Sequence, residues 1–148
     1  MRLKNLLASC LIMMIYFLVG CGGSDAPQER EVFPVSGKVT YQGKSIPDAS
    51  VVLHPVTQTD DGIPACLPRG HVNESGEFVV STYRQGDGAP AGKYRVSFSW
   101  QGSLKGLDED QEDKLREKLP RKYRNPKTSG IEVTILKEKN PALEFTLQ

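Results

Sequence analysis

The chain has 148 residues, a length that allows one ordinary domain and little more. It carries 19 Lys and Arg against 18 Asp and Glu, for a formal net charge of +1. Without the first 20 residues, 17 basic and 18 acidic side chains remain. This balance lacks the excess of positive charge that attracts nucleic acid, so we predict no nucleic-acid partner.

The first 20 residues have the three-part pattern of an export signal. Arg2 and Lys4 form a short basic region, and residues 6–19 form an apolar stretch of 14 residues. A cleaved signal has an apolar region of this length, whereas a bilayer span needs about 20 residues. The segment 18–21, Leu-Val-Gly-Cys, resembles the bacterial lipobox, in which small residues precede an obligatory cysteine.

The lipobox resemblance implies cleavage between Gly20 and Cys21 and acylation of Cys21. Several acyl chains on one residue hold a domain stably at a membrane, since each buried CH₂ adds about 0.8 kcal/mol. The competing interpretation is an uncleaved anchor helix over 5–24, a window without charge until Asp25. We therefore predict an exported protein on the cell-envelope membrane, and the glycines after Cys21 favour the outer membrane by analogy with better-studied envelopes.

Residues 21–34 are predicted to be the lipidated cysteine and a flexible tether, because glycine and polar residues there offer too little apolar surface to order the chain. Cys10 leaves with the signal and Cys21 is occupied by lipid. Cys66 is then the one thiol of the mature chain, so no internal disulfide can form. Its sequence neighbours are alanine and leucine, so we expect Cys66 to be a small buried hydrophobic residue.

From residue 35 onward, the dominant hydrophobic period is two, the period of a β-strand. This alternation predicts seven short strands, at 35–41, 49–54, 69–72, 77–83, 93–100, 131–135 and 143–147. Turn signals separate them, and the segment 73–76, Asn-Glu-Ser-Gly, has the residue types of a β-turn. One apolar face in nearly every strand predicts an all-β domain over 35–148, a seven-stranded antiparallel Greek-key β-sandwich.

Helical signals are confined to one insertion, near 107–119. Acidic residues begin it, basic residues lie toward its end, and Leu115 and Leu119 are four residues apart. Pro120 follows and ends the run. The pattern predicts a short charged helix between two strands, with a mobile acidic loop as the alternative.

A set of glycines and apolar residues resembles the opening of carboxypeptidase-regulatory-like domains, which are seven-stranded sandwiches of the transthyretin-like type. The set consists of Gly37, Val39, Gly43, Pro47, Ala49 and Val51, followed by Asn73, Gly76 and Phe78. The stretch 119–131 is similar to small lipoproteins that occur in many copies in planctomycete bacteria. The resemblance covers residues 32–148 and implies a fold. It implies no activity, because the matching residues are turn glycines and core apolar residues.

Nucleophilic catalysis requires a nucleophile, a base and an orienting group. The mature chain offers the thiol of Cys66 and two histidines, His54 and His71, so a hydrolase that uses Cys66 with His71 is one hypothesis. The chain contains no G-x-S-x-G elbow, Walker loop or H-E-x-x-H motif.

Metal binding has one candidate, the alternating acids Asp108, Asp110 and Glu112. An EF-hand loop also needs a glycine at its sixth position and a glutamate at its twelfth, where this chain has Asp113 and Leu119. We therefore interpret the acids as a solvated face and predict neither a metal site nor a cofactor.

Carbohydrate binding is suggested by three aromatic residues near strand ends or loops, Tyr83, Trp100 and Tyr123. Trp100 shares the apolar parity of its strand, which favours a core position. Tyr123 lies in a run of basic residues, which favours exposure to solvent. The leading hypothesis is a non-catalytic interaction module tethered to the membrane, with an envelope protein or polysaccharide as partner. A carbohydrate-binding module is the alternative, followed by the Cys66 hydrolase.

Overall fold

The computed structural model describes residues 28–57, 62–103, 105–112 and 114–148. The predicted signal, the cleavage site at Gly20 and Cys21, and the first part of the predicted tether lie outside the described residues. Within those that are described, no helix is long and apolar enough to cross a membrane.

Short strands dominate the described part of the chain. They are β1 (Val32–Phe33), β2 (Ser36–Tyr41), β3 (Lys44–Ser45), β4 (Ser50–Pro55), β5 (Arg69–His71), β6 (Glu77–Val79), β7 (Ala89–Pro90), β8 (Gly92–Ser99), β9 (Glu132–Ile135) and β10 (Leu143–Leu147). Two single helical turns are α1 (Glu109–Glu112) and α2 (Arg121–Arg124). Seven of the strands overlap the predicted segments, and β1, β3 and β7 are additional two-residue strands.

The strands form two four-stranded sheets and one short ladder. The first sheet has the order β5-β4-β8-β9, and all its pairs are antiparallel. In the second, β2 pairs with β10 on one side and with β6 and β3 on the other. The ladder joins β1 to β7. The prediction of an all-β fold is confirmed, and the shared core between the two sheets is consistent with a β-sandwich.

Side chains of period two fill the space between the sheets, as the alternation predicts. In β8, Tyr94, Val96 and Phe98 are buried. Phe98 meets Phe145 of the opposite sheet with ring centroids 5.2 Å apart, and Phe145 stacks on Phe78 at 5.9 Å. Full burial of a side chain of this size contributes about 1.5–3 kcal/mol relative to exposure, so the contact of Phe98 with Phe145 helps to hold the two sheets together.

One predicted feature is wrong: the strands are not all antiparallel, because β10 runs parallel to β2. The physical reason is the course of the chain before β10. The Asn140 side chain donates to the carbonyl oxygen of Pro34, just before β2 begins, so both strands start at the same end of the molecule. The parallel ladder brings Leu143 against Gly37, where a side chain would have no room.

The predicted turn at 73–76 is confirmed. Asn73 Oδ1 accepts hydrogen bonds from the backbone N–H groups of Ser75 and Glu77, both at 2.9 Å. Gly76 has a φ of 83°, a value at which glycine avoids the strain of other residues. The turn carries the chain from β5 to β6, and two further bridges join these strands, so they close one side between the sheets.

The charged helix predicted near 107–119 is limited to the single turn α1. Asp108 and Gln111 exchange hydrogen bonds as a capping box, with 2.9 Å from the Gln111 backbone N–H to Asp108 Oδ1. The helix does not continue, because Glu117 is bound to the sheet instead: its carboxylate accepts from the backbone N–H of Trp100 at 2.9 Å. These tertiary hydrogen bonds outweigh the local preference for a helix.

The sandwich has two ends that matter for function. At the near end, Phe33 of β1 pairs with β7 just before β8 begins at Gly92. At the far end, Tyr41 of β2 packs edge-on against Trp100, with ring centroids 6.4 Å apart, and Gln148 follows β10. At about 3.3 Å per strand residue, β8 separates the two ends by roughly 25 Å.

Candidate functional site

The N-terminal segment is fixed to the near end by its own side chains. The guanidinium group of Arg30 donates to the carbonyl oxygens of Ile63 at 2.8 Å and Pro64 at 3.3 Å. Glu29 forms an ion pair of 2.9 Å with Arg84. The predicted flexible tether over 21–34 therefore needs correction at its end: these contacts and the β1 ladder bind the chain to the domain from Glu29 onward.

A carboxylate organises the loop that receives this segment. Asp87 Oδ1 accepts from the backbone N–H of Thr82 at 2.7 Å, and Oδ2 accepts from those of Tyr83 at 3.0 Å and Arg84 at 2.9 Å. Partial burial raises the pKa of Asp87, but these hydrogen bonds outweigh burial and leave the pKa below its ordinary value. The loop turns away here, so β6 ends at Val79 rather than at the predicted residue 83.

The same end contains a cleft of about 380 Å³. It is lined by Arg30, Pro55, Thr57, Ile63, Ala65, Cys66, Pro90, Ala91, Gly92, Lys93 and Tyr94. The hydroxyl of Tyr94 donates to the carbonyl oxygen of Pro90 at 2.8 Å, and burial raises the pKa of Tyr94 to about 12. This phenol therefore stays neutral and acts as a structural hydrogen-bond donor.

Cys66 is half-buried in the cleft rather than fully buried as predicted. The Tyr83 hydroxyl donates to its Sγ at 3.8 Å and accepts from the backbone N–H of Arg30 at 3.0 Å. The pKa of Tyr83 is raised, mainly by burial and also by Cys66. A phenol with a raised pKa is a poor base at neutral pH, so Tyr83 acts here as a hydrogen-bond donor to Cys66 and not as a general base.

The two histidines lie elsewhere. His71 is exposed on β5, and His54 Nε2 is hydrogen-bonded to Ser97 Oγ at 2.8 Å. Burial lowers the pKa of His54, which favours its neutral form. Among the described residues, no hydrogen bond joins Cys66 to a histidine, so the structure does not assemble the Cys66–His71 pair of the hydrolase hypothesis. Nor do three or more described His, Cys, Asp or Glu side chains form a group that could hold a metal ion.

The predicted exposure of Tyr123 is wrong. Its side chain is 5% exposed, and its ring packs against Phe98 with centroids 6.5 Å apart. Its hydroxyl accepts from the Gln148 backbone N–H at 2.9 Å and donates to the carbonyl oxygen of the same residue at 3.0 Å. The helical turn α2 points Tyr123 inward, and its spacing of four from the buried Leu119 was the signal for this.

The other two aromatic candidates also have structural contacts. Trp100 is partly buried, and its Nε1 donates to the carbonyl oxygen of Pro47 at 2.9 Å. The ammonium group of Lys118 lies over the Trp100 ring, 5.2 Å from its centroid, where it would compete with a stacked sugar. Tyr83 uses its hydroxyl in the near-end cleft, as described above. The three rings therefore do not form a common platform.

The basic run around Tyr123 is visible in the sequence, but it did not predict the cationic surface that this run forms on the outer side of α2. Arg121, Lys122 and Arg124 line a shallow depression of about 470 Å³ together with Asn125 and Thr128, which we call the far-end hollow. No ion pair within the described residues involves the three cations. The signal was local: residues 114–127 contain seven Lys or Arg and one acid, although the whole chain is nearly neutral.

Comparisons of the chain with protein-family models, with curated proteins and with solved structures found no match.

Proposed function

We propose that the protein is a cell-envelope lipoprotein, anchored through Cys21, whose domain binds a partner rather than catalysing a reaction. In this proposal the domain is a seven-stranded Greek-key sandwich of the transthyretin-like type, similar to carboxypeptidase-regulatory-like modules. The observation that carries the proposal is the N-terminal pattern: a basic start, 14 apolar residues and Leu-Val-Gly-Cys at 18–21.

The way the chain joins the domain supports this arrangement. The contacts of Glu29 and Arg30 bind the chain at the near end, so only residues 22–28 separate the domain from the lipidated cysteine. Seven residues span at most about 25 Å even when fully extended. A lipid on Cys21 would therefore hold the near end of the domain close to the membrane surface.

The contacts of the reactive side chains favour binding over catalysis. His54 is bound to Ser97 with its pKa lowered, and Cys66 is bound by the hydroxyl of Tyr83. These groups stabilise the fold where they lie. Replacement of Cys66 by Ser is expected to leave any function of the protein unchanged, and a lost activity would revive the hydrolase hypothesis.

Processing of the N-terminus tests the proposal directly. We expect the parent protein from a membrane fraction to begin at Cys21 and to carry the mass of a diacylglyceryl group and an N-acyl chain. Cys21→Ser should retain its signal segment, and an inhibitor of the lipoprotein signal peptidase should have the same effect on the parent. Cys10→Ser is the matched control, because it removes a thiol from the signal and should be processed normally. An unacylated mature N-terminus in the parent would contradict the proposal.

A further inference from the structure

The far-end hollow concentrates positive charge, and among its three cations Lys122 also contacts the fold, since its ammonium group lies 4.7 Å from the centroid of the Tyr123 ring. Arg121, Lys122 and Arg124 are exposed, and none of them takes part in an ion pair within the described residues. The one acid among residues 114–127, Glu117, is already engaged, since its carboxylate accepts hydrogen bonds from the Ser99 hydroxyl and from the backbone N–H of Trp100. Four further cations in the same stretch add to the positive potential around the hollow.

The position of α2 places this charge at the far end of the sandwich. Tyr123 carries the helical turn onto Phe98, near the end of β8, and its hydroxyl holds Gln148 at the end of β10. The N-terminal segment joins the domain at the opposite end, beside the start of β8. Chain entry and cationic surface are thus separated by roughly 20 Å or more along the strands.

This separation decides which surface the cations face. If Cys21 is anchored as proposed, residues 22–28 reach at most about 25 Å, so the near end stays at the membrane. If the far end faced the lipid instead, residues 22–28 would have to be fully extended and to run along most of the length of the domain. The arrangement that leaves the linking segment unextended turns the hollow away from the anchoring membrane, toward polymers of the envelope.

We propose that the far-end hollow binds an acidic polysaccharide through its carboxylate groups. Each guanidinium group can form a two-pronged pair with one carboxylate. Arg121 and Arg124 are three residues apart on one helical turn, with a spacing of about 5–6 Å between Cβ atoms, so both guanidinium groups can reach one acidic chain. Asn125 is exposed in the same hollow, and because its Oδ1 accepts from the backbone N–H of Lys127 at 2.9 Å, its side-chain NH2 group is the part that can donate to sugar hydroxyls. The direction in which the hollow faces depends on the proposed function. Recognition of the polysaccharide depends on charge and not on aromatic stacking.

The test uses the full-length chain as purified, reconstituted into neutral phosphatidylcholine vesicles. Binding of polygalacturonate is measured by light scattering or titration calorimetry, with dextran as the uncharged polymer. We expect the parent to bind polygalacturonate but not dextran. The double variant Arg121→Gln and Arg124→Gln should bind about tenfold more weakly, because it removes two exposed ion pairs with the polymer. Lys137→Gln and Lys139→Gln, in the exposed β9–β10 turn, remove the same charge and should bind as the parent does.

Vesicles that contain anionic phosphatidylglycerol distinguish the membrane from the polymer as the occupant. At 0.15 M salt the screening length is about 8 Å, so a surface that points away from the lipid should bind the polymer as well as it does on neutral vesicles. Loss of polymer binding on anionic vesicles alone would overturn the inference, because the lipid would then occupy the hollow. Equal weakening in the two double variants would also overturn it.

The mass of the N-terminus, read on the same sample, separates the two proposals. A lipidated protein that does not bind polygalacturonate contradicts the present inference alone. A protein that binds through Arg121 and Arg124 but carries no lipid supports the hollow as a polysaccharide site and contradicts the proposed anchor.

Discussion

Replacement of Gly37 by alanine tests the packing between β2 and β10. A Cβ atom at this position would overlap the carbonyl oxygen of Leu143 and lie 2.7 Å from Phe78 Cζ and 2.9 Å from Leu143 Cβ. The oxygen belongs to the partner strand of the parallel ladder and cannot move without disturbing that ladder. Overpacking of this kind costs about 1–3 kcal/mol, and a lost backbone hydrogen bond adds about 1 kcal/mol. Alanine also restricts the unfolded chain, which offsets about 0.4–1 kcal/mol, so we expect a net loss of about 1–3.5 kcal/mol, centred near 2 kcal/mol.

Urea unfolding followed by circular dichroism measures this loss. For a domain of this size the slope is about 1–3 kcal/mol per molar urea, so the midpoint for Gly37→Ala should fall by roughly 1–2 M. Gly130→Ala is the control: no atom lies within 4 Å of its added Cβ, but its φ of 71° imposes the left-handed strain of about 1 kcal/mol. If Gly37→Ala were as stable as Gly130→Ala or more so, the close approach of the two strands would be refuted.

Three further predictions concern single side chains. Asp87→Asn should lower stability by about 2 kcal/mol at pH 7, because the carboxylate binds three backbone N–H groups. The folded-state pKa of Asp87 is below its ordinary value of 3.8. The stability that this carboxylate contributes is therefore fully present above pH 3.8 and is lost as the pH falls through the folded-state pKa. Unfolding curves at pH 7 and pH 2.5 should therefore show the difference between parent and variant shrinking in acid. The pKa of Tyr94 is raised to about 12, so the parent should lose stability as the pH rises from about 10 toward 12. The variant Tyr94→Phe should lose less stability over the same range, and equal losses would contradict this reasoning. Tyr123→Phe removes the two hydrogen bonds to Gln148 and should lower the free energy of unfolding by about 1 kcal/mol. Tyr123→Ala also empties a core position and should lower it by about 4 kcal/mol. Similar losses for the two variants in thermal unfolding would argue against a buried ring.

The sequence was sufficient to predict a feature where one short segment contains all the residues that determine it. Alternating apolar residues located seven strands and their inward faces, because a β-strand turns successive side chains to opposite sides. Asn73 predicted its turn because its own side chain binds the backbone that follows it. The N-terminal basic, apolar and cysteine pattern, on which the proposed anchor depends, is likewise contained within the first 21 residues.

Tertiary contacts decided what depends on distant segments. β10 runs parallel to β2 because the chain before it is bound beside Pro34, more than a hundred residues earlier. The helix near 107–119 stops after one turn because Glu117 bonds to the sheet, and Tyr123 is buried because α2 docks on Phe98.

The far-end hollow depends on both the sequence and the tertiary structure. The run of basic residues around α2 is visible in the sequence, but a balanced total charge conceals it. Only the fold turns Tyr123 inward, gathers Arg121, Lys122 and Arg124 around one depression, and sets them at the end opposite the N-terminal segment. The sequence by itself thus determined which segments are strands and where charge is dense, because these are properties of neighbouring residues. The direction of β10 and the face on which the cations meet depend on contacts between residues far apart in the chain, so the tertiary structure alone decided them.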